Sequence, residues 1–242
     1  MPAPAEAPVV APSPHGVPSG QLAHASGAQA DEVQWFDVRT VPAVPWKNGG
    51  GSTRELACWP PGADTDAFGW RVSVARIGTA GPFSVYAGVD RYIMLLDGDG
   101  VALHSEKGEL LHTLQQRWQP WGFAGECPLD SRLIGGPSTD FNLMLRRGQW
   151  QGDVQVRHEA HTAAGPGAGL CMVLQGQWAV LGDGLARVLE PGQGMWWPGP
   201  MRPHTLQPLQ PVGTAGFSPF SAPFSPDVRP ALVRVEVNRV NS

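Results

Sequence analysis

The chain has 242 residues, 42% of them hydrophobic, and a formal net charge of −4. That is enough apolar content for one large all-β unit or two small domains, and the wrong sign for a general nucleic-acid binder. Lys47 and Lys107 are the sole lysines, so the positive charge is nearly all arginine, which suits bidentate recognition of carboxylates.

Cys58, Cys127 and Cys171 stand far apart with no CxxC pair, unlike a disulfide framework or a structural zinc site. No apolar run approaches a membrane span, and the N-terminus lacks the basic start and apolar core of a signal peptide. A cytoplasmic protein is the expectation. Residues 1–32 are rich in Ala, Pro, Ser and Gly without apolar periodicity, which predicts a disordered extension.

Val33–Arg39 reads as a first strand. Pro42 and Pro45 lead into Trp46-Lys47-Asn48-Gly49-Gly50-Gly51-Ser52-Thr53-Arg54-Glu55. Asn48-Gly49 is a hairpin signal with Thr53–Leu56 as the returning strand. The three glycines also offer backbone N–H groups as a nest for an anion, with Lys47 and Arg54 beside it. A phosphate loop does not fit, because Lys47 precedes the glycines and a strand follows them.

Trp70–Ile77 alternates: Trp70, Val72 and Val74 share one face, and Arg71, Ser73 and Ala75 the other. An inward polar face would line a pocket; an outward one would be ordinary surface. Gly81–Tyr86 is a short strand, and Arg91–Leu103 a strand–tight turn–strand unit. Leu95–Leu103 aligns without a gap on Val173–Leu181, and Gln119–Gly125 echoes Met195–Gly199 in the same order, which suggests a duplicated small barrel. In Asp140–Gly148, Phe141, Leu143 and Leu145 oppose Asn142, Met144 and Arg146. Asp153–Glu159 and Leu232–Val240 read as further strands, with a flexible link at Gly165–Gly169 and a proline-rich stretch from Pro219 to Pro230. No helical period is sustained. The prediction is all-β: two antiparallel jelly-roll-like barrels, at 33–148 and 149–242, behind the extension.

Pro45–Glu55, Trp70–Ala75, Gly81–Ser84 and Asp140–Gly148, in this order and spacing, resemble the HutD/Ves family. The resemblance implies a double cupin-type barrel, a bicupin. HutD proteins are associated with histidine-utilisation operons and with binding a carboxylated intermediate, formylglutamate or urocanate being natural candidates; the Ves branch is linked to the cold response. By this resemblance the pocket lies in the N-terminal barrel, mapped by motif chemistry to Trp46, Lys47, Asn48, Arg54, Arg71, Ser73 and Arg146. Lys47, Arg54 and Arg71 would pair with carboxylates, Asn48 and Ser73 would orient the ligand, and Trp46 would form a wall. Glu55 would hold one arginine or make a plain cross-strand ion pair.

The rival is a metal-dependent cupin oxygenase or isomerase, for which His158, Glu159, His161 and His204 are the available ligands. His158 and His161 are separated by two residues, three positions apart, which sends their imidazoles to opposite faces of an extended strand. His104 and His112 stand alone, and Gly-x-Ser-x-Gly is absent. Trp178, Trp196 and Trp197 suit either a surface patch for a partner or buried packing. The reading is therefore a binder of a small acidic metabolite, leaning to a sensor or regulator without turnover. No cofactor, metal, nucleic acid or membrane enters it, and a homodimer is compatible with it.

Overall fold

The structure is a computed structural model describing residues 33–182, 184–209 and 229–240. The extension at 1–32 and nearly all of the 219–230 stretch lie outside the described residues. Nineteen strands and no helix make up the described chain. The first half gives β1 (Gln34–Asp37), β2 (Val44–Pro45), β3 (Gly51–Trp59), β4 (Trp70–Ile77), β5 (Gly81–Pro82), β6 (Val89–Gly98), β7 (Val101–Ser105), β8 (Leu110–Leu114), β9 (Trp121–Ala124), β10 (Leu129–Leu133) and β11 (Ser138–Arg146). The second gives β12 (Trp150–Arg157), β13 (His161–Gly165), β14 (Ala168–Gln175), β15 (Gln177–Gly182), β16 (Leu185–Leu189), β17 (Gln193–Trp197), β18 (Met201–Leu209) and β19 (Ala231–Arg239).

The strands form four antiparallel sheets. In the first half β2-β3-β4-β11-β6-β9 packs on β5-β10-β7-β8; in the second, β1-β17-β14-β19-β12 packs on β13-β18-β15-β16. The neighbour order β4-β11-β6-β9 recurs as β12-β19-β14-β17, and β5-β10-β7-β8 as β13-β18-β15-β16. The sequence echo of Leu95–Leu103 with Val173–Leu181 thus falls on equivalent strand–turn–strand corners, β6–β7 and β14–β15, each of which passes from one sheet of its half to the other. Each half is an all-β unit of two antiparallel sheets packed face to face.

β1 departs from its place in the sequence. Read with the first half, it pairs instead with β17, Trp35 opposite Met195. Trp35 packs on the second barrel's core, and Gly194 leaves the space that the Phe36 ring fills. The expected flexible link at Gly165–Gly169 is mostly strand, the end of β13 and the start of β14.

Three apolar layers follow from strand alternation. Ile77, Ile93 and Leu95 meet Val101, Leu103, Leu114 and Leu129 inside the first barrel. Cys171, Val173, Met195 and Trp197 meet Trp178, Val180 and Leu206 inside the second. Between the barrels Trp70, Val72, Val74, Phe141, Leu143 and Leu145 pack on Leu170, Met172, Val233, Val235 and Val237. Trp178 and Trp197 are thus buried rather than a surface patch, and Trp196 meets Trp70 edge-on at 5.9 Å. The apolar faces of β4 and β11 are claimed by the second barrel, so their other faces look into the first.

Candidate ligand-binding site

The register across the six-stranded sheet sets polar residues in rows on its inner face. One row reads Cys58, Arg71, Met144, Arg91, Phe123; the next reads Glu55, Ser73, Asn142, Ile93, Trp121. A bulge in β3 between Glu55 and Ala57 brings Glu55 beside Arg71, whose Nε donates to Oε2 at 2.6 Å. Above these rows lies a cavity of about 600 Å³, walled by Trp46, Pro82, Phe83, Tyr86 and Ile93 and carrying Lys47, Arg71, Arg91 and Glu55.

Arg91 is its most unusual member. The side chain is buried, its Nη1 donates to Ser84 O at 3.1 Å, and Nε has no partner among the described residues. The rings of Phe83, Tyr86 and Phe123 surround the guanidinium, with centroids 5.6, 5.4 and 4.9 Å from its carbon. Aromatic faces attract a cation without cancelling its charge. Burial pushes its pKa down to about 10.

Five of the seven residues expected from sequence line this cavity: Trp46, Lys47, Asn48, Arg71 and Ser73. Trp46 is fixed by its Nε1–H, which donates to Thr53 Oγ1 at 2.8 Å. Arg54 and Arg146 do not line it. Arg54 sits between Thr53 and Glu55, both of which point in, so alternation turns it away, and its Nη1 donates to Val41 O. Arg146 ends β11 past the rim, over the Phe68 ring at 5.1 Å, with Nη2 donating to Asp66 O at 2.7 Å.

The glycine-rich turn is a hairpin and not an anion nest. Gly49, with φ of 70°, donates its N–H to Trp46 O, and Gly50 N–H donates to Asn48 Oδ1, both at 2.9 Å. Those donors are spent inside the turn. Gly51 is required by close packing: a Cβ there would collide with the Arg76 carbonyl oxygen and lie 2.8 Å from the Trp46 ring.

Arg91, Asn142 and Tyr86 were not foreseen. Arg91 shares a strand face with Ile93 and Leu95, so an arginine on an otherwise apolar stripe was the available signal. Deeper on that face, Asp140 is fully buried, with both carboxyl oxygens near Ser138 Oγ at 3.0–3.1 Å.

The cupin fold raises the question of a metal, and the residues do not fit one. Among the described residues no three His, Cys, Asp or Glu side chains come together to hold an ion. His158 and His161 direct Nδ1 at the carbonyls of Pro230 and Glu159, and His204 does the same to Arg202.

The HutD family model matches residues 38–213. The chain belongs to the HutD family. Protein Ves of Cronobacter sakazakii is 41% identical over 77% of this chain and 97% of its own length; Protein Ves of Citrobacter koseri is 39% identical over 77% and 93%. Among solved structures, HutD from Pseudomonas fluorescens, in a formate condition, superposes with a TM-score of 0.68 at 25% identity, covering 87% of this chain and all of that one. A conserved protein of unknown function from Pseudomonas aeruginosa gives 0.69 at 26%, over 86% and 99%. A cupin 2 barrel protein from Leptotrichia buccalis, 10% identical with a TM-score of 0.52 over 85% and 96%, shares the fold. No helix among the described residues is long and apolar enough to cross a membrane.

Proposed function

We propose that this HutD-family protein binds a small acidic metabolite in the first barrel's cavity and acts as a sensor or regulator rather than a catalyst. The supporting observation is Arg91, which lines that cavity, is buried, and has no carboxylate partner among the described residues, while Arg71 beside it is paired with Glu55. A buried cation left uncompensated is costly, and an incoming carboxylate relieves that cost through charge-assisted hydrogen bonds. The family name supplies the setting, histidine utilisation, and with it two candidates, formylglutamate and urocanate.

A thermal-shift screen with formylglutamate, urocanate, histidine, glutamate and formate, with and without chelator, tests the reading. A ligand at a hundred times its Kd stabilises the fold by about 2.7 kcal/mol, several degrees for a chain of this size. The expected result is a selective shift that chelator leaves unchanged. Flat curves with every acid would sink the proposal.

A further inference from the structure

Resting on the acid-binding reading above, we infer that Glu55 sets the class of ligand. The cavity takes a carboxylic acid whose other end is a neutral group bearing an N–H, and it discriminates against a second carboxylate at that end; of the two candidates above this selects urocanate, with its imidazole, over formylglutamate, which carries a second carboxylate.

The argument starts from the inequivalence of the two guanidinium groups. Arg71 and Arg91 occupy one row of the sheet, on either side of Met144. Two strand spacings of about 4.8 Å place their Cα atoms roughly 10 Å apart, so one extended small molecule can address both. Arg71 is already compensated: its Nε donates to Glu55 Oε2 at 2.6 Å. Neither Glu55 Oε1 nor the two Nη groups of Arg71 has a hydrogen bond among the described residues, and both side chains line the cavity. That end therefore presents N–H donors beside a carboxylate acceptor with no net charge, the complement of an amide or an imidazole.

The other end is the reverse. Among the described residues Arg91 has no carboxylate partner; one Nη is on a neutral carbonyl, and its buried Nε has no partner. A carboxylate docking there gains a charge-assisted pair in a place shielded from water. A second carboxylate at the Arg71 end would instead face the charge of Glu55, and like-charge juxtaposition is an effective means of rejecting a wrong ligand. In the adjacent row Asn142, on β11 between the two ends, and Ser73 beside it on β4 supply neutral polar contacts to the ligand's middle.

Titration calorimetry on the full chain separates the possibilities, with urocanate (one carboxylate, one imidazole) and glutarate (two carboxylates, no N–H) as probes. The wild type should bind urocanate at least tenfold more tightly than glutarate. Glu55→Gln frees Arg71 for a carboxylate and removes an acceptor for the imidazole, so the ratio should fall by about tenfold, mainly through tighter glutarate binding. Glu55 is half-exposed and the substitution isosteric; circular dichroism and the melting temperature check that the variant is folded. Arg91→Lys keeps a cation but loses the planar fork, and should weaken both probes with their ratio unchanged. A wild type that prefers glutarate, or a folded Glu55→Gln variant with an unaltered ratio, overturns the inference while leaving acid binding intact. Binding of neither probe, nor of any acid in the thermal-shift screen, overturns the acid-binding reading itself.

Discussion

The guanidinium carbon of Arg91 lies 4.9 Å from the centre of the Phe123 ring, its cross-strand partner on β9. The stack continues from Phe123 to Trp121 at 4.9 Å and from Trp121 to His112 at 4.5 Å. A column of flat side chains thus ends on a buried cation that lacks a counter-ion among the described residues. On the acid-binding proposal such a cation waits for an anion and does little for the stability of the empty fold.

Arg91→Met should separate those two roles. Replacing a buried charge by an apolar side chain of similar length is often neutral or stabilising. The unliganded variant is expected to melt at the wild-type temperature or to gain about 1 kcal/mol, and its thermal shift with urocanate is expected to vanish. Scanning fluorimetry with and without the acid reads both. A fall of several degrees in the unliganded melt would make Arg91 structural instead.

Much of this arrangement was legible in the sequence. The alternation of Trp70–Ile77 and Asp140–Arg146 assigned residues to faces correctly, because a half-buried strand writes its environment at period two. Which face looked inward was not legible, since both are covered: one by the opposite sheet and cavity, the other by the second barrel. Arg54 was misplaced although its own neighbours argued against it; it cannot share a face with Glu55. Arg146 has the right parity but lies beyond the rim, and rim position depends on where the sheet ends. The exchange of β1 into the second sheet had no local signal, because pairing partners far apart in sequence are a tertiary property.

Asp140 should make stability depend on pH. Burial raises its pKa to about 7, against a smaller lowering effect of the Ser138 hydroxyl. An unfolded Asp titrates near 3.9, so between these values the folded state holds the extra proton. The contribution is complete below pH ~4 and is lost as pH rises through about 7. The loss is about 4 kcal/mol, at 1.36 kcal/mol per unit. Urea midpoints of the wild type should fall from pH 5 to pH 8, and those of Asp140→Asn should fall much less. Parallel profiles would show that Asp140 does not titrate in this range.

The glycines of the Asn48–Gly51 turn should not respond alike. Gly49 has φ of 70° with open space around its missing side chain, so Gly49→Ala costs only the left-handed backbone penalty of about 1–2 kcal/mol. Gly51→Ala places a methyl group against the Arg76 carbonyl and the Trp46 ring. Overpacking of that kind costs about 1–3 kcal/mol, and here the displaced ring is a cavity wall. Gly51→Ala should lose acid binding together with stability, while Gly49→Ala should lose stability alone. Melting curves and calorimetry on the two variants decide it.

The layer between the barrels should make the chain unfold as one unit. Phe141 is fully buried among Val72, Val74 and Leu143 of its own sheet and the Val233, Val235 and Leu170 side of the other. Neither apolar face can stay solvated without exposing the other, so opening one barrel strips the outer face of its neighbour. Scanning calorimetry should therefore give a single transition for the wild type. Phe141→Ala removes about 3–5 kcal/mol of packing, and the whole transition should move down together, reported equally by Trp178 burial in the second barrel and by ligand binding in the first. Two resolved transitions, with the second barrel's unmoved by Phe141→Ala, would mean that each barrel carries its own stability and that the shared layer only docks them.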